Sequence, residues 1–286
     1  ATASASNKVY DGNTTAAVTL TFTGLVGSET LGQTVGATFA DKDVANAKTV
    51  TVNSITLSDD GDSGGLADNY SISTGQTTTA NITAKTLTAT ASASNKVYDG
   101  NTTAAVTLTF TGLVGSETLG QTVGATFADK DVANAKTVTV NSITLSDDGD
   151  SGGLADNYSI STGQTTTANI TAKTLTATAS ASNKVYDGNT TAAVTLTFTG
   201  LVGSETLGQT VGATFADKDV ANAKTVTVNS ITLSDDGDSG GLADNYSIST
   251  GQTTTANITA KTLTATASAS NKVYDGNTTA AVTLTF

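Results

Sequence analysis

Asp59-Asp60-Gly61-Asp62, followed by Asp68, sets four carboxylates within ten residues. Calcium is bound by a shell of hard oxygens from a flexible loop, and closely spaced Asp with Gly is the usual supply. The spacing is not that of an EF-hand, and no bidentate Glu follows. The same acids return as Asp147, Asp148, Asp150 and Asp156, and again as Asp235, Asp236, Asp238 and Asp244. Two readings stand side by side: a calcium loop, with Ca2+ as the one candidate cofactor, or a solvated acidic hairpin tip. A second chemistry is an intramolecular isopeptide bond between Lys8 and Asn81, with Glu29 as the proton-shuttling carboxyl. Against it, every Lys suits a solvated surface, and a buried Lys would first need its pKa strongly lowered.

Composition removes most other chemistry. The 286 residues include no His, Cys, Pro, Met or Trp. Ser-His-Asp and Cys-His nucleophiles, thiolate zinc sites and disulfides are therefore excluded. The paired carboxylates lie in one turn with no cleft to hold a substrate, so no enzyme is expected. A net charge of −12 argues against nucleic acid and against acidic membrane surfaces. No apolar run approaches the ~18 residues of a membrane helix, and no signal-peptide pattern is present. The segment is expected to be internal to something larger, or processed.

These residues must be positioned by a repeat. The string ATASASNKVYDGNTTAAVTLTF begins at Ala1, Ala89, Ala177 and Ala265. The period is 88, giving three identical copies and the first 22 residues of a fourth. Such a unit is too long for a solenoid repeat and suits one small domain, so each copy is expected to fold as its own module.

Within a copy the pattern is strand throughout. Val18, Leu20 and Phe22 alternate with Thr19, Thr21 and Thr23, and Val35, Ala37 and Phe39 repeat the period of two. Val50 and Val52 are in one phase and Ile55 and Leu57 in the other, so the slip at Asn53-Ser54 predicts a β-bulge or bend. Tyr70-Ile72 and Ala80-Ile82-Ala84 read as further strands. Tyr10, Phe22, Phe39 and Tyr70 are expected in the core. Tyr10-Asp11-Gly12 reads as a hairpin turn: Asp bonds to the N–H of Asn13 or Thr14, and Gly supplies a positive φ. The Leu87, Ala89, Ala91, Ala93 alternation is in the opposite phase to Ile82, which puts the copy boundary at Lys85-Thr86.

The run Lys8-Val9-Tyr10-Asp11-Gly12-Asn13-Thr14-Thr15-Ala16 is followed by Ala37-Thr38-Phe39-Ala40-Asp41-Lys42 and Lys48-Thr49-Val50-Thr51-Val52. Asp68-Asn69-Tyr70-Ser71-Ile72 and Ile82-Thr83-Ala84-Lys85 complete a series of five blocks. Together they resemble the YDG domain, over the whole unit and hence the whole chain. The chain departs from the family at Ala84, where Pro is usual, and in the enlarged Asp59–Gly65 loop. The resemblance implies tandem repeats of large bacterial surface adhesins and filamentous-haemagglutinin-like exoproteins. It carries over no catalytic residues.

The expected fold is all-β, with tandem β-sandwich-like (Ig-like) modules end to end; β-grasp-like modules are the alternative. The boundaries are residues 1–85 (first residues missing), 86–173, 174–261 and 262–286, the last an incomplete module. The expected function is that of a structural repeat in a secreted or cell-surface bacterial adhesin, forming an acidic stalk, with biofilm and cell adhesion as its setting. Its partners would be neighbouring copies. The alternatives are a self-associating extracellular matrix filament of identical chains, and a direct ligand binder. The Thr rows would suit an ice-binding face and the aromatics a lectin.

Overall fold

A computed structural model of the chain describes residues 1–286. It is all-β; its helical turns are three-residue 3₁₀ segments at Ala67–Asn69, Ala155–Asn157 and Ala243–Asn245. With no α-helix for a sheet to wrap, the β-grasp alternative is not the fold. No helix is long and apolar enough to cross a membrane. The chain packs as two compact units, residues 1–96, 102–129 and 134–169, and residues 97–101, 130–133 and 170–286.

The third copy lies wholly in the second unit. Its strands are β1 (Lys173–Ala181), β2 (Lys184–Val185), β3 (Thr191–Ala192), β4 (Val194–Thr199), β5 (Gly208–Phe215), β6 (Ala221–Ser234), β7 (Tyr246–Ile248) and β8 (Thr253–Thr259). Three form one sheet in the order β4-β1-β7, and five form the other in the order β2-β8-β6-β5-β3. Both are mixed: β1 runs parallel to β7 and β2 parallel to β8, while the other pairs are antiparallel.

The two sheets share one core. Leu196 of the smaller sheet packs with Phe215, Val226, Val228, Ala256 and Ile258 of the larger. Alternation does the sorting: Val226 and Val228 are buried while Thr225 faces out. Small residues of β1 stand opposite large ones of β4, Ala177 facing Phe198, Ala179 facing Leu196 and Ala181 facing Val194. That pairing lets an alanine-rich strand fill its share of the core without voids. Gln209 ties the sheets, accepting the Leu196 N–H at 2.9 Å and donating to the Leu196 carbonyl at 2.8 Å.

Two irregularities bend β6. Gly212 pairs with Ser230 and Ala213 with Val228, leaving Asn229 as the extra residue of a bulge. This is the slip expected at Asn53-Ser54, where Gly36 pairs with Ser54 and Ala37 with Val52. The second bulge has no signature in the hydrophobic pattern. Between Ala221 and Lys224 the register shifts, and Ala223 takes φ 50°. Its N–H is recovered by Asn257 Oδ1 at 2.7 Å.

In the first unit the apolar core does not stop at the edge of a copy. Tyr10, Leu20, Phe39, Val50, Val52 and Ile82 of the first copy belong to one cluster with Leu87 and Tyr158 of the second. Lys85–Thr86 pair in parallel with Tyr158–Ser159, and the Leu87 N–H donates to the Ser159 carbonyl at 2.7 Å. Leu87 fills the second copy, the side of the expected boundary on which it lies, while Tyr10 packs beyond its own. Tyr70 and Ile72 of the first copy form no strand.

Candidate functional site

The buried polar chemistry of the chain lies where one copy meets the next. Tyr10 follows the two-residue strand Lys8–Val9 and is held by its N–H, which donates to the Thr83 carbonyl at 2.9 Å. Its turn is built as the residue types dictate. Asp11 Oδ1 accepts the Asn13 N–H at 3.1 Å, Asn13 Oδ1 accepts the Thr15 N–H at 2.9 Å, and Gly12 takes φ 81°. Lys8 Nζ adds bonds to Asp11 Oδ1 and the Asn13 carbonyl, each at 2.7 Å.

This turn aims Tyr10 out of its own copy. The Tyr10 hydroxyl donates to Glu117 Oε1 of the second copy at 2.6 Å and accepts from Lys42 Nζ at 2.9 Å. The other Glu117 oxygen accepts the Tyr158 hydroxyl at 2.6 Å. One carboxylate thus clamps two phenols from two copies, and charge makes both bonds strong. The two rings meet edge to face, with centroids 5.4 Å apart and planes at 80°. Lys42 Nζ lies 5.2 Å from the Tyr10 ring centroid and 3.6 Å from Glu117 Oε1.

Around the clamp a second contact fixes orientation. Lys42, Asp43 and Val44 lie in the loop between Gly32–Phe39 and Ala45–Ser58. The Val44 N–H donates to Asn157 Oδ1 at 2.8 Å, and Asn157 Nδ2 donates to Asp43 Oδ1 at 2.9 Å. Asn157 ends a 3₁₀ turn and is fully buried. A Cβ on Gly12 would come within 2.7 Å of Val114 Cγ1, so glycine here serves both the positive φ and the close approach.

The second unit repeats the arrangement. Tyr98 donates to Glu205 Oε1 and Tyr246 to Glu205 Oε2, both at 2.6 Å. Lys130 Nζ donates to Tyr98 at 2.9 Å, and Asn245 bridges the Val132 N–H and Asp131 Oδ1. Where the neighbouring face is absent, the same residue types are more open: Asn69 and Val220 are exposed, and Tyr70 and Tyr186 only half-buried.

The electrostatics follow from this packing. Burial, then the hydrogen bond to Glu117, pushes the Tyr158 phenol up to about 12. The Tyr10 phenol is raised for the same two reasons. Burial also pushes Glu117 up, but the bonds from Tyr10 and Tyr158 and the Lys42 charge outweigh it and hold the carboxyl below its ordinary value. All three groups are thereby kept in the state the clamp needs.

The acidic residues of the Asp59–Asp68 loop accept hydrogen bonds from nearby donors. Asp59 Oδ1 accepts the Ala67 N–H at 2.7 Å. Asp60 Oδ1 accepts the Asp62 N–H at 3.2 Å, and its Oδ2 accepts the Thr30 hydroxyl. Asp68 is the middle residue of the 3₁₀ turn. Asp147, Asp148, Asp150 and Asp156, and Asp235, Asp236, Asp238 and Asp244, sit at the matching places. No group of three or more acidic side chains is placed to hold a metal ion. Asp59 and Asp60 are turned onto separate donors rather than onto a common centre.

The isopeptide trio is likewise not assembled. Lys8 Nζ bonds within Asp11–Thr15, Asn81 Oδ1 accepts the Ala47 N–H, and Glu29 accepts the Tyr70 hydroxyl. Sequence reasoning missed Glu117 and Lys42 as partners of Tyr10, and Asn157 as the partner of Asp43 and Val44. The available signal was a single Glu in each copy, among acids that are otherwise all Asp.

No curated protein matches the chain. The YDG domain family matches it three times, at residues 1–80, 83–168 and 171–256. Each match contains one Tyr-Asp-Gly turn and one Asp-Asn-Tyr block, the two pieces that meet when consecutive copies dock. The chain belongs to the YDG domain family, as three tandem copies of that domain.

Proposed function

We propose that this chain is a structural segment of a secreted or cell-surface bacterial adhesin, in which docked copies form an acidic stalk that sets reach. The observation that carries the reading is the joint. The Tyr–Glu–Tyr clamp and the buried Asn157 spend the chain's most buried polar groups on holding one copy to the next. Contacts of this kind limit bending, which a flexible linker would permit. The net charge of −12 keeps such a chain soluble and discourages adhesion along its length. The role is structural rather than enzymatic, with neighbouring copies as its partners.

Small-angle scattering on chains of two, three and four copies tests this. A stalk gains a constant increment of maximum dimension per copy, roughly 40 Å if strands of ~8–10 residues run near its axis. Growth that follows compact globular scaling defeats the proposal. Assembly of a few-copy chain at modest concentration would instead support a filament of laterally packed chains.

A further inference from the structure

The second and last strands of a copy are side by side and run the same way. In the third copy β2 pairs with the last two residues of β8, Lys184 with Ile258 and Val185 with Thr259. The Tyr186 N–H then donates to the Thr259 carbonyl at 2.8 Å. Upstream, β1 is held twice more. Lys173, Thr174 and Leu175 pair in parallel with Tyr246, Ser247 and Ile248, and Thr176–Ala181 pair antiparallel with β4 over six positions. Leu175 is buried among these strands at 2% exposure.

This topology decides how tension acts. The chain enters the copy at Lys173 and leaves after Thr259. Pulling the ends draws β1–β2 toward their N-terminal side and β8 toward its C-terminal side. Because the strands are parallel neighbours, they must slide past each other along their own axes. Every hydrogen bond between them is then loaded at once, whereas strands pulled apart sideways give up their bonds one at a time.

The first unit has the same wiring. Lys8 pairs with Ile82 and Val9 with Thr83, and Lys85–Thr86 with Tyr158–Ser159. Only Ala84 separates the exit strand Thr77–Thr83 from the next entry strand, so load passes between copies without slack.

We propose that each copy is a force-bearing module in which β2, next after the entry strand, and the exit strand β8 form a clamp loaded in shear. This goes beyond setting reach: a stalk of the right length need not resist extension.

The test is single-molecule stretching of the full 286-residue chain. Pulled through its ends, it is expected to unfold in separate events, each releasing roughly 250–300 Å of chain for one copy. The chain has no native cysteine, so handles can be set at Thr176→Cys and Thr199→Cys, directly paired and exposed residues of β1 and β4. Pulled there, the pair opens sideways, and unfolding is expected at a several-fold lower force. Smooth extension from the ends, or an end-to-end force no higher than the sideways one, overturns the proposal. Either result in a chain whose scattering length still grows per copy would leave the stalk standing and remove only the clamp.

Discussion

Glu117 is the residue on which two copies agree, since its two oxygens are shared between Tyr10 and Tyr158. Glu117→Gln keeps the shape but replaces two charge-assisted bonds with weaker ones, at a cost of about 1–3 kcal/mol. The same change at Glu29, bonded to Tyr70 of its own copy, is expected to cost less, and thermal melting of the two variants checks the difference. The clamp also has a pH window. Glu117 is held below its ordinary 4.5, so its contribution is full above that pH and is lost as pH falls through the lowered value. Tyr158 is pushed from 10.0 up to about 12, so its contribution is full below pH 10.0 and is lost as pH rises toward 12. Melting temperature against pH should therefore fall at both ends, and the Glu117→Gln chain should lose part of the acid limb, the rest belonging to lowered carboxyls such as Asp41 and Asp60. At the hairpin tip, calcium is expected to shift melting no more than magnesium at matched ionic strength. A larger shift that Asp60→Asn with Asp62→Asn abolishes would show that the loop closes on the ion.

At the scale of elements, the entry strand is what completes a copy. Leu87 and Leu175 are each 2% exposed, while Leu263, the same residue in the incomplete fourth copy, is 68% exposed. Leu175→Ala should cost about 2–5 kcal/mol by leaving a cavity. Leu263→Ala should change stability by no more than about 0.5 kcal/mol, as surface changes usually do. Denaturant melts of the two variants give a comparison within one chain. The second bulge in β6 makes an opposite prediction. Ala223 sits at φ 50°, where an L side chain crowds its own carbonyl. Ala223→Gly is expected to gain roughly 0.5–1 kcal/mol, where glycine inside a regular strand would lose a similar amount. If the melt moves down, the bulge is not strained in solution.

For the whole molecule, identity between copies has a consequence at every joint. The face carrying Tyr10 and Lys42 recurs with Tyr98 and Lys130, and the face carrying Glu117 and Asn157 recurs with Glu205 and Asn245. The contacts within each unit are therefore the same contacts, and stability should depend on nearest-neighbour terms as it does in repeat arrays. Adding a copy should add a constant increment of unfolding free energy, read from chemical denaturation of two-, three- and four-copy chains. Joint variants should lower the increment for added copies while leaving a single copy unchanged.

The sequence by itself determined the all-β class, the 88-residue period, the Tyr-Asp-Gly turn and the bulge at Asn53. Each is a local consequence of residue type: β-branched alternation, a phase slip between Val52 and Ile55, an Asp beside a Gly. The phase change beside Lys85 also showed that Leu87 and Ile82 belong to different faces. What Tyr10, Glu117 and Asn157 do was not legible, because their partners lie 107, 41 and 113 residues away in the chain. A tyrosine that alternates correctly reads as core from any local pattern, and nothing local says whose core it enters. The acidic run left two readings open for the related reason that composition counts carboxylates without saying where they point. Only the tertiary structure turned Asp59 and Asp60 onto separate donors, and only strand order made β2 and β8 parallel neighbours. Register between distant strands is set by the packing of two sheets on one core, a property of the assembled copy rather than of any segment in it.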